Sequence, residues 1–309
     1  MNQRFVIAIF IAAPAALSFR AWGEPPDKAK APAANRAAAP DHDGEAEKQQ
    51  IRLAQEHVKR LSMRVADEAG DAVEAVERPL LFYGDAARVA NHGTLWAFGR
   101  RGRPAAFMEL WRGPPDQPFW YQSLIRTGNQ DLRLQSPDGR RWQPPGGEIS
   151  RTKIDDATPP AASGSARLRQ LKSLVRRFTA HEVGDPDNSR FELRLLVQPI
   201  HRYDDPPSGV QDGAAFVFAH GTNPELIVLI EALGADTERA AWHYSVFPSS
   251  SAQLHLHIDG REAWTRPGAP NVVGRPNDDY WLFSLPVESR LPRDEENSST
   301  GGEGTGAPK

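Results

Sequence analysis

The sequence of this chain partly repeats itself, and this limits the folds open to it more than any other feature. Residues 77–107 align without a gap on residues 197–227 at an offset of 120, and the match resumes at an offset of 122. The matched positions are Pro79 with Pro199, Tyr83 with Tyr203, Asp85 with Asp205, Gly93 with Gly213, Pro104 with Pro224, Glu109 with Glu231, Trp120 with Trp242 and Trp142 with Trp264. Most of these residue types meet a specific packing or backbone requirement. The offsets therefore predict an internal duplication.

A helical pattern precedes each copy, and strand patterns follow it. Apolar residues have the spacing of one helix face at Ile51, Ala54, Val58 and Leu61, and again at Leu168, Leu171, Val175 and Phe178. Short segments typical of β-strands follow, separated by turn residues such as Pro137-Asp138-Gly139 and Asp259-Gly260. We therefore predict an α+β, β-rich fold made of two tandem copies of a helix followed by an antiparallel β-meander.

The pattern divides the chain into six predicted segments. They are a signal peptide at 1–23, a flexible linker at 24–44, repeat 1 at 45–145, a second linker at 146–164, repeat 2 at 165–283 and a disordered tail at 284–309. Arg4, the apolar run that follows it and the small residues Ala21 and Gly23 are typical of an export signal. We expect a periplasmic or extracellular protein without a stable transmembrane span in its mature chain. An uncleaved N-terminal anchor is the alternative, although the apolar run is short of the roughly 20 residues that span a bilayer.

Composition excludes several classes of protein. The net charge of −3 is too small to indicate a general nucleic-acid binder. The chain has no cysteine, which excludes thiol catalysis, thiolate zinc sites and a cysteine-linked lipid anchor. The glycine-rich and zinc-binding motifs of common enzyme families are absent from the sequence. We therefore predict no catalytic residue, no cofactor-binding residue and no cofactor.

One short segment has the spacing of a metal site. His255, His257 and Asp259 alternate along a predicted strand, where residues two apart share a face. The same pattern fits an ordinary solvated strand face, since Leu254 and Leu256 form the alternate apolar face. The first copy has no metal ligand at the positions of the two histidines. The three residues are thus weak candidates for a metal site.

Acidic residues, histidines and tryptophans give further candidates. The carboxylates Asp85, Asp205, Glu109 and Glu231 recur in both copies, and His220 and His243 could act as bases. Recurrence in both copies favours a structural role, whereas a hydrolase would bring at least two of these six side chains within about 10 Å in a pocket. The tryptophans that recur in pairs favour core packing, and Trp111, which does not recur, is the better candidate for an exposed aromatic.

Several motifs together carry a resemblance. They are His92-Gly93-Thr94-Leu95-Trp96 with Gly102-Arg103-Pro104, Arg167-Leu168-Arg169-Gln170-Leu171, Leu195-Leu196-Val197-Gln198-Pro199-Ile200, and Asp212-Gly213-Ala214-Ala215-Phe216 with Gly221-Thr222-Asn223-Pro224-Glu225. The chain resembles uncharacterised predicted secreted proteins of planctomycete bacteria over about residues 50–265. The resemblance implies export and transfers no site residue.

Three functions follow as hypotheses. The first is an exported, non-enzymatic, envelope-associated binding or structural protein, whose partner in the envelope or outside the cell is unknown. The second is a hydrolase that acts on an envelope polymer. The third is a divalent-metal binder at His255, His257 and Asp259.

Overall fold

The protein is described by a computed structural model, which covers residues 42–68, 70–85, 91–112, 119–184, 189–234, 239–268 and 274–286. The predicted signal peptide, linker residues 24–41 and tail residues 287–309 lie outside these described residues. Strands make up 53% of the structure and helices 13%. No helix in the described part of the chain is long and apolar enough to cross a membrane.

The elements follow the chain in this order: α1 (His42–Lys59), β1 (Ser62–Val65), β2 (Leu81–Asp85), β3 (Asn91–Phe98), β4 (Ala106–Arg112), β5 (Phe119–Arg126), β6 (Leu132–Gln135), β7 (Arg141–Trp142), β8 (Thr152–Lys153), α2 (Gly164–Val175), β9 (Phe178–Gly184), β10 (Ser189–Asp205), β11 (Val210–His220), β12 (Asn223–Leu233), β13 (Ala241–Pro248), β14 (Gln253–Ile258), β15 (Arg261–Arg266) and β16 (Tyr280–Pro286). A short 3-10 helix, Pro206–Ser208, follows β10.

The strands form three antiparallel sheets. The first is a small sheet in the order β1-β6-β7, and the second has five strands in the order β16-β5-β4-β3-β2. The third has eight strands in the order β15-β14-β9-β10-β11-β12-β13-β8. This large sheet curls into a half-barrel.

Both larger sheets bury side chains on two faces. In β3, Leu95 and Ala97 face the core shared with the large sheet, while Trp96 and Phe98 face the core beneath α1. Successive side chains of a strand point to opposite faces. The sequence of a strand between two cores is therefore a continuous run of apolar residues. This explains the unbroken apolar segments of β11 and β12. The helix α1 packs on the outer face of the five-stranded sheet, and α2 packs inside the curl of the eight-stranded sheet.

The predicted fold class is wrong. The chain does not form two helix-plus-meander units. The structure is mostly β, and its large antiparallel sheets combine strands from different predicted segments. β16, near the C-terminal end of the described chain, pairs with β5 along its whole length, and β8 of the predicted second linker pairs with β13. One core contains side chains from both predicted repeats, among them Phe107 and Ile227. The composition of these sheets depends on pairing between segments that are distant in the sequence. The local pattern of a strand does not specify its partner.

Candidate functional site

Each of the two larger sheets has a buried tyrosine–glutamate pair: one joins β2 and β4 of the five-stranded sheet, and the other joins β10 and β12 of the eight-stranded sheet. The hydroxyl of Tyr83 donates to Glu109 Oε2 (3.1 Å), and that of Tyr203 donates to Glu231 Oε1 (2.7 Å). Both glutamates are at most 2% exposed. Each tyrosine ring lies against a glycine, Gly93 or Gly213, where a Cβ would overlap the ring. The small residue on the neighbouring strand thus lets each ring reach its carboxylate.

Glu231 is neutralised by arginine. Arg103 Nε lies 2.7 Å from Glu231 Oε1, with both side chains at most 5% exposed, and Arg151 Nε lies 3.4 Å from the other oxygen. A buried carboxylate needs such a counter-charge and hydrogen bonds to offset its desolvation. The surroundings of Glu231 are therefore those of a structural ion pair.

Glu109 has neutral partners instead. Its carboxylate accepts hydrogen bonds from Tyr83 and Ser249, and within the described ranges no arginine, lysine or histidine lies within 4 Å of it. Burial raises the pKa of Glu109 well above its usual value, and the charge of Glu225 raises it further. The position 120 residues after Arg103 is Asn223, an uncharged residue that lines the same small cavity as Glu109. The two tyrosine–glutamate pairs therefore differ in charge.

A second group of polar side chains continues from Glu109. Glu182 of β9, His220 at the end of β11 and Glu225 of β12 each offer a ligand atom, and these atoms lie within 4.8 Å of one another. His220 Nδ1 is 2.6 Å from Glu182 Oε1, and Asn223 Nδ2 donates to Glu225 Oε1 (2.7 Å). Both glutamates are at most 1% exposed. We call these three residues the Glu–His–Glu cluster.

A small cavity adjoins this cluster. It has a volume of about 180 Å³ and is lined by Glu109, Glu225, Tyr83, Asn223 and Ser249, together with neighbouring residues. Glu225 belongs to both the cavity and the cluster. Solvent-sized molecules in this cavity would therefore meet the buried carboxylates.

A larger groove lies where the eight-stranded sheet fails to close. It has a volume of about 570 Å³ and is lined by both ends of the sheet, Tyr244–Pro248 of β13 on one side and Ala263, Trp264 and Arg266 of β15 on the other. Tyr280 and the segment 148–152 complete its walls. We call this groove the seam.

The backbone of β13 faces the seam beyond the end of β8. Ile154 N–H donates to the carbonyl of Trp242 (2.8 Å), and β8 pairs with His243 and Tyr244. Alternate residues of an antiparallel strand direct their backbone groups to the same side, so the backbone groups of Val246 point toward the seam. The pairing with β8 ends before Val246 among the described residues. The seam therefore presents an open strand edge at one position, Val246, since the next residue that faces this side is Pro248, which has no N–H.

The candidate metal residues lie on and just after β14, which is next to the edge strand β15 of the large sheet. The ring of His255 stacks on His181 at 4.4 Å, and His255 Nδ1 is 2.7 Å from Glu262 Oε2. His257 also stacks on His181, at 5.3 Å. Asp259 lies in the following turn with a positive φ of 51°, and its carboxylate pairs with Arg177 at 2.5 Å. The ion pair with Arg177 engages the carboxylate that was predicted to complete the site.

The structure brings two of the other predicted candidates together, because Glu231 and His243 are cross-strand partners on β12 and β13. Asp205 is the last residue of β10 and directly precedes the short 3-10 helix. The side chain of Asp85 lies outside the described residues. Trp111 is half-buried and stacks on Tyr121 at 5.6 Å, whereas Trp120, Trp142 and Trp242 are core residues, as expected.

Sequence reasoning missed Glu182, Glu225, Asn223 and Ser249 as site residues. A signal for the two glutamates was present, because Glu182 is the single acidic residue of β9, Glu225 shares β12 only with Glu231, and both strands have several buried residues. A charged residue in such a strand is buried and needs a partner. Neither a protein-family model, nor a curated protein, nor a solved structure matches this chain.

Proposed function

We propose that this protein is an exported, non-enzymatic binding protein, and that its ligand is an extended polypeptide segment held in the seam. The observation that carries the proposal is the open edge of β13, which faces a groove of about 570 Å³. An extended peptide can add to such an edge through main-chain hydrogen bonds. The export signal predicted at the N-terminus supports a partner in the cell envelope or outside the cell.

The side chains around the seam fit a polypeptide better than a purely apolar ligand. Val246, Ala263 and Trp264 contribute apolar surface, while Arg266 and Glu148 place charges of opposite sign on its walls. Alternate side chains of an added strand point in opposite directions. One set of them would reach the apolar lining and the other the charged rim.

A peptide selection tests this proposal. The full chain is panned against a library of random linear peptides, and the affinity of selected peptides is measured for the original protein and for Ala263→Phe, which places a ring in the groove. We expect Ala263→Phe to weaken binding at least tenfold, or about 1.4 kcal/mol. Ala162→Phe is the matched control, since Ala162 is exposed and does not line the seam. Equal loss of affinity in both variants, or none in either, would contradict the proposal.

Hydrolysis of an envelope polymer is the second candidate, and Glu109 favours it. A carboxyl whose pKa is raised, next to a second carboxylate, is the pairing used for general acid–base catalysis. The cavity at Glu109 is about 180 Å³, however, which is below the roughly 300–1,000 Å³ of typical small-molecule sites. We therefore favour peptide binding in the seam over hydrolysis at Glu109.

A further inference from the structure

An arginine in the wall of the seam is held in place without an acidic partner. Arg266 is the last residue of β15, and its Nη1 donates to the carbonyl of Ser250 (2.6 Å), in the segment that follows β13. Its guanidinium also lies over the ring of Tyr280, 5.1 Å from the ring centroid. Within the described ranges no carboxylate lies within 4 Å of Arg266. Its Nε and Nη2 are therefore left to donate to a ligand.

Partial burial gives this cation a cost that a ligand can offset. Arg266 is half-buried, and burial lowers its pKa from the ordinary value, because removal from water disfavours the charged form. Arg126 also lines the seam, but it is compensated, since its Nε and Nη2 donate to both oxygens of Asp279 at 2.6 and 3.0 Å. A carboxylate is the group that matches the planar donor pair of an arginine.

We propose that the seam binds the C-terminal end of a polypeptide and that Arg266 binds its terminal carboxylate, an assignment that rests on the proposed peptide binding. An acidic side chain within a longer segment would bring the same chemical group. The position of Arg266 relative to the open edge of β13 favours the chain end instead.

The open edge of β13 is too short for a long added strand. The pairing with β8 ends at Tyr244, Val246 faces the seam, and Pro248 has no N–H. A strand that pairs at Val246 therefore cannot continue its pairing past Pro248. The guanidinium of Arg266 is bound to Ser250, just beyond this point. At about 3.3 Å per residue, a chain that runs parallel to β13 reaches the guanidinium two or three residues after Val246, where it can end.

The acidic residues that line the seam leave this position open to a carboxylate. Asp279 is paired with Arg126, and Asp278 Oδ2 accepts a hydrogen bond from the N–H of Arg275 (2.8 Å). Glu148 is exposed. Because water and salt screen an exposed charge, Glu148 should repel an incoming carboxylate only weakly.

Matched peptides with and without a terminal charge test the proposal. The full chain is screened against N-acetylated random heptapeptides that lack aspartate and glutamate and end in a free carboxylate, and the selected peptides are made again with a C-terminal amide. We expect the amide to weaken binding by about 10–100-fold, the range for a hydrogen bond to a charged group. A second screen uses amidated heptapeptides that contain aspartate and glutamate, and we expect weaker binding from them.

A substitution of the arginine identifies the group that reads the terminus. Arg266→Gln should bind the free and amidated forms of each peptide equally, because no charged partner is left for the carboxylate. Arg261→Gln is the matched control, since Arg261 is exposed on the same strand and does not line the seam, and it should keep the full preference. The preference of the original protein is measured without any variant, so the test does not depend on the folding of Arg266→Gln.

The outcomes separate this proposal from the proposed function. Equal binding of free and amidated peptides by the original protein would overturn the role of the terminus and leave peptide binding in the seam intact. Tighter binding of the amidated acidic peptides, or an unchanged preference in Arg266→Gln, would do the same. Binding of no peptide in either screen would contradict the proposed function and this proposal together.

Discussion

Glu231→Gln is expected to lower the free energy of unfolding by about 3–5 kcal/mol, which is the cost of breaking a buried ion pair from one side. Arg103 would remain buried without its counter-charge, since the two side chains are 5% and 1% exposed and 2.7 Å apart. The hydrogen bond from Tyr203 would also lose a charged acceptor. Urea denaturation of the full chain at pH 7 gives the value.

Glu109→Gln is the matched variant and should behave in the opposite way. Glu109 has the same tyrosine contact as Glu231 but no cationic partner among the described residues, so removal of its charge leaves nothing uncompensated. We expect this variant to be as stable as the original protein at neutral pH, or more stable. If both variants lose the same stability, the two glutamates are equivalent and the contrast in charge that defines the site is wrong.

The difference in stability between the original protein and Glu109→Gln should also change with pH. Because the pKa of Glu109 is raised in the folded state, the folded protein binds this proton more tightly than the unfolded chain does. Stability of the original protein should therefore fall as pH rises above the unfolded pKa of about 4.3 and toward the raised value. Glu109→Gln removes this contribution, so its advantage should grow with pH across that window. These measurements are made without added metal.

Phe107→Ala is expected to destabilise the protein by about 3–5 kcal/mol, because it leaves a cavity in a fully buried site. Phe107 is 0% exposed and belongs to the core shared by the five-stranded and eight-stranded sheets. Both predicted repeats contribute to that core, so we expect tryptophan fluorescence and circular dichroism to report one transition that moves as a whole.

Phe119→Ala is the control for this result. Phe119 is 38% exposed, so its loss should change stability by no more than about 0.5 kcal/mol. Two separate transitions, with only one shifted by Phe107→Ala, would show that the predicted repeats unfold as independent domains.

The sequence predicted the elements of this fold better than their assembly. The predicted helices match the structure, since Ile51, Ala54 and Val58 lie in α1 and Leu168, Leu171 and Val175 lie in α2, and the strand patterns predicted after each helix correspond to strands. Period-2 patterns and turn residues depend only on neighbouring residues, and the strands and turns that they predict are present in the structure. β8 was missed because two paired residues in a proline-rich segment leave no pattern. The pairing of β16 with β5 joins residues more than 150 positions apart, and nothing in either strand specifies it.

The candidate site was predicted in part. Glu109, Glu231 and His220 were among the candidates from the sequence, and the structure places all three at or beside buried ion pairs or polar clusters. The predicted duplication favoured a shared structural role for Glu109 and Glu231. The structure separates them, because Arg103 neutralises Glu231 whereas Glu109 has Tyr83 and Ser249 as partners. Recurrence of a residue does not specify its electrostatic surroundings, which distant segments supply.

Hydrogen exchange at Val246 tests the open seam, on which the proposed function depends, most directly. Val246 lies on β13 beyond the pairing with β8, whereas Val228 lies opposite it on β12 between two paired strands. We predict that the Val246 amide of the free protein exchanges faster than that of Val228 by on the order of 100-fold or more. A bound peptide should slow it. Equal, slow exchange at both amides in the free protein would show that the edge of β13 is already covered.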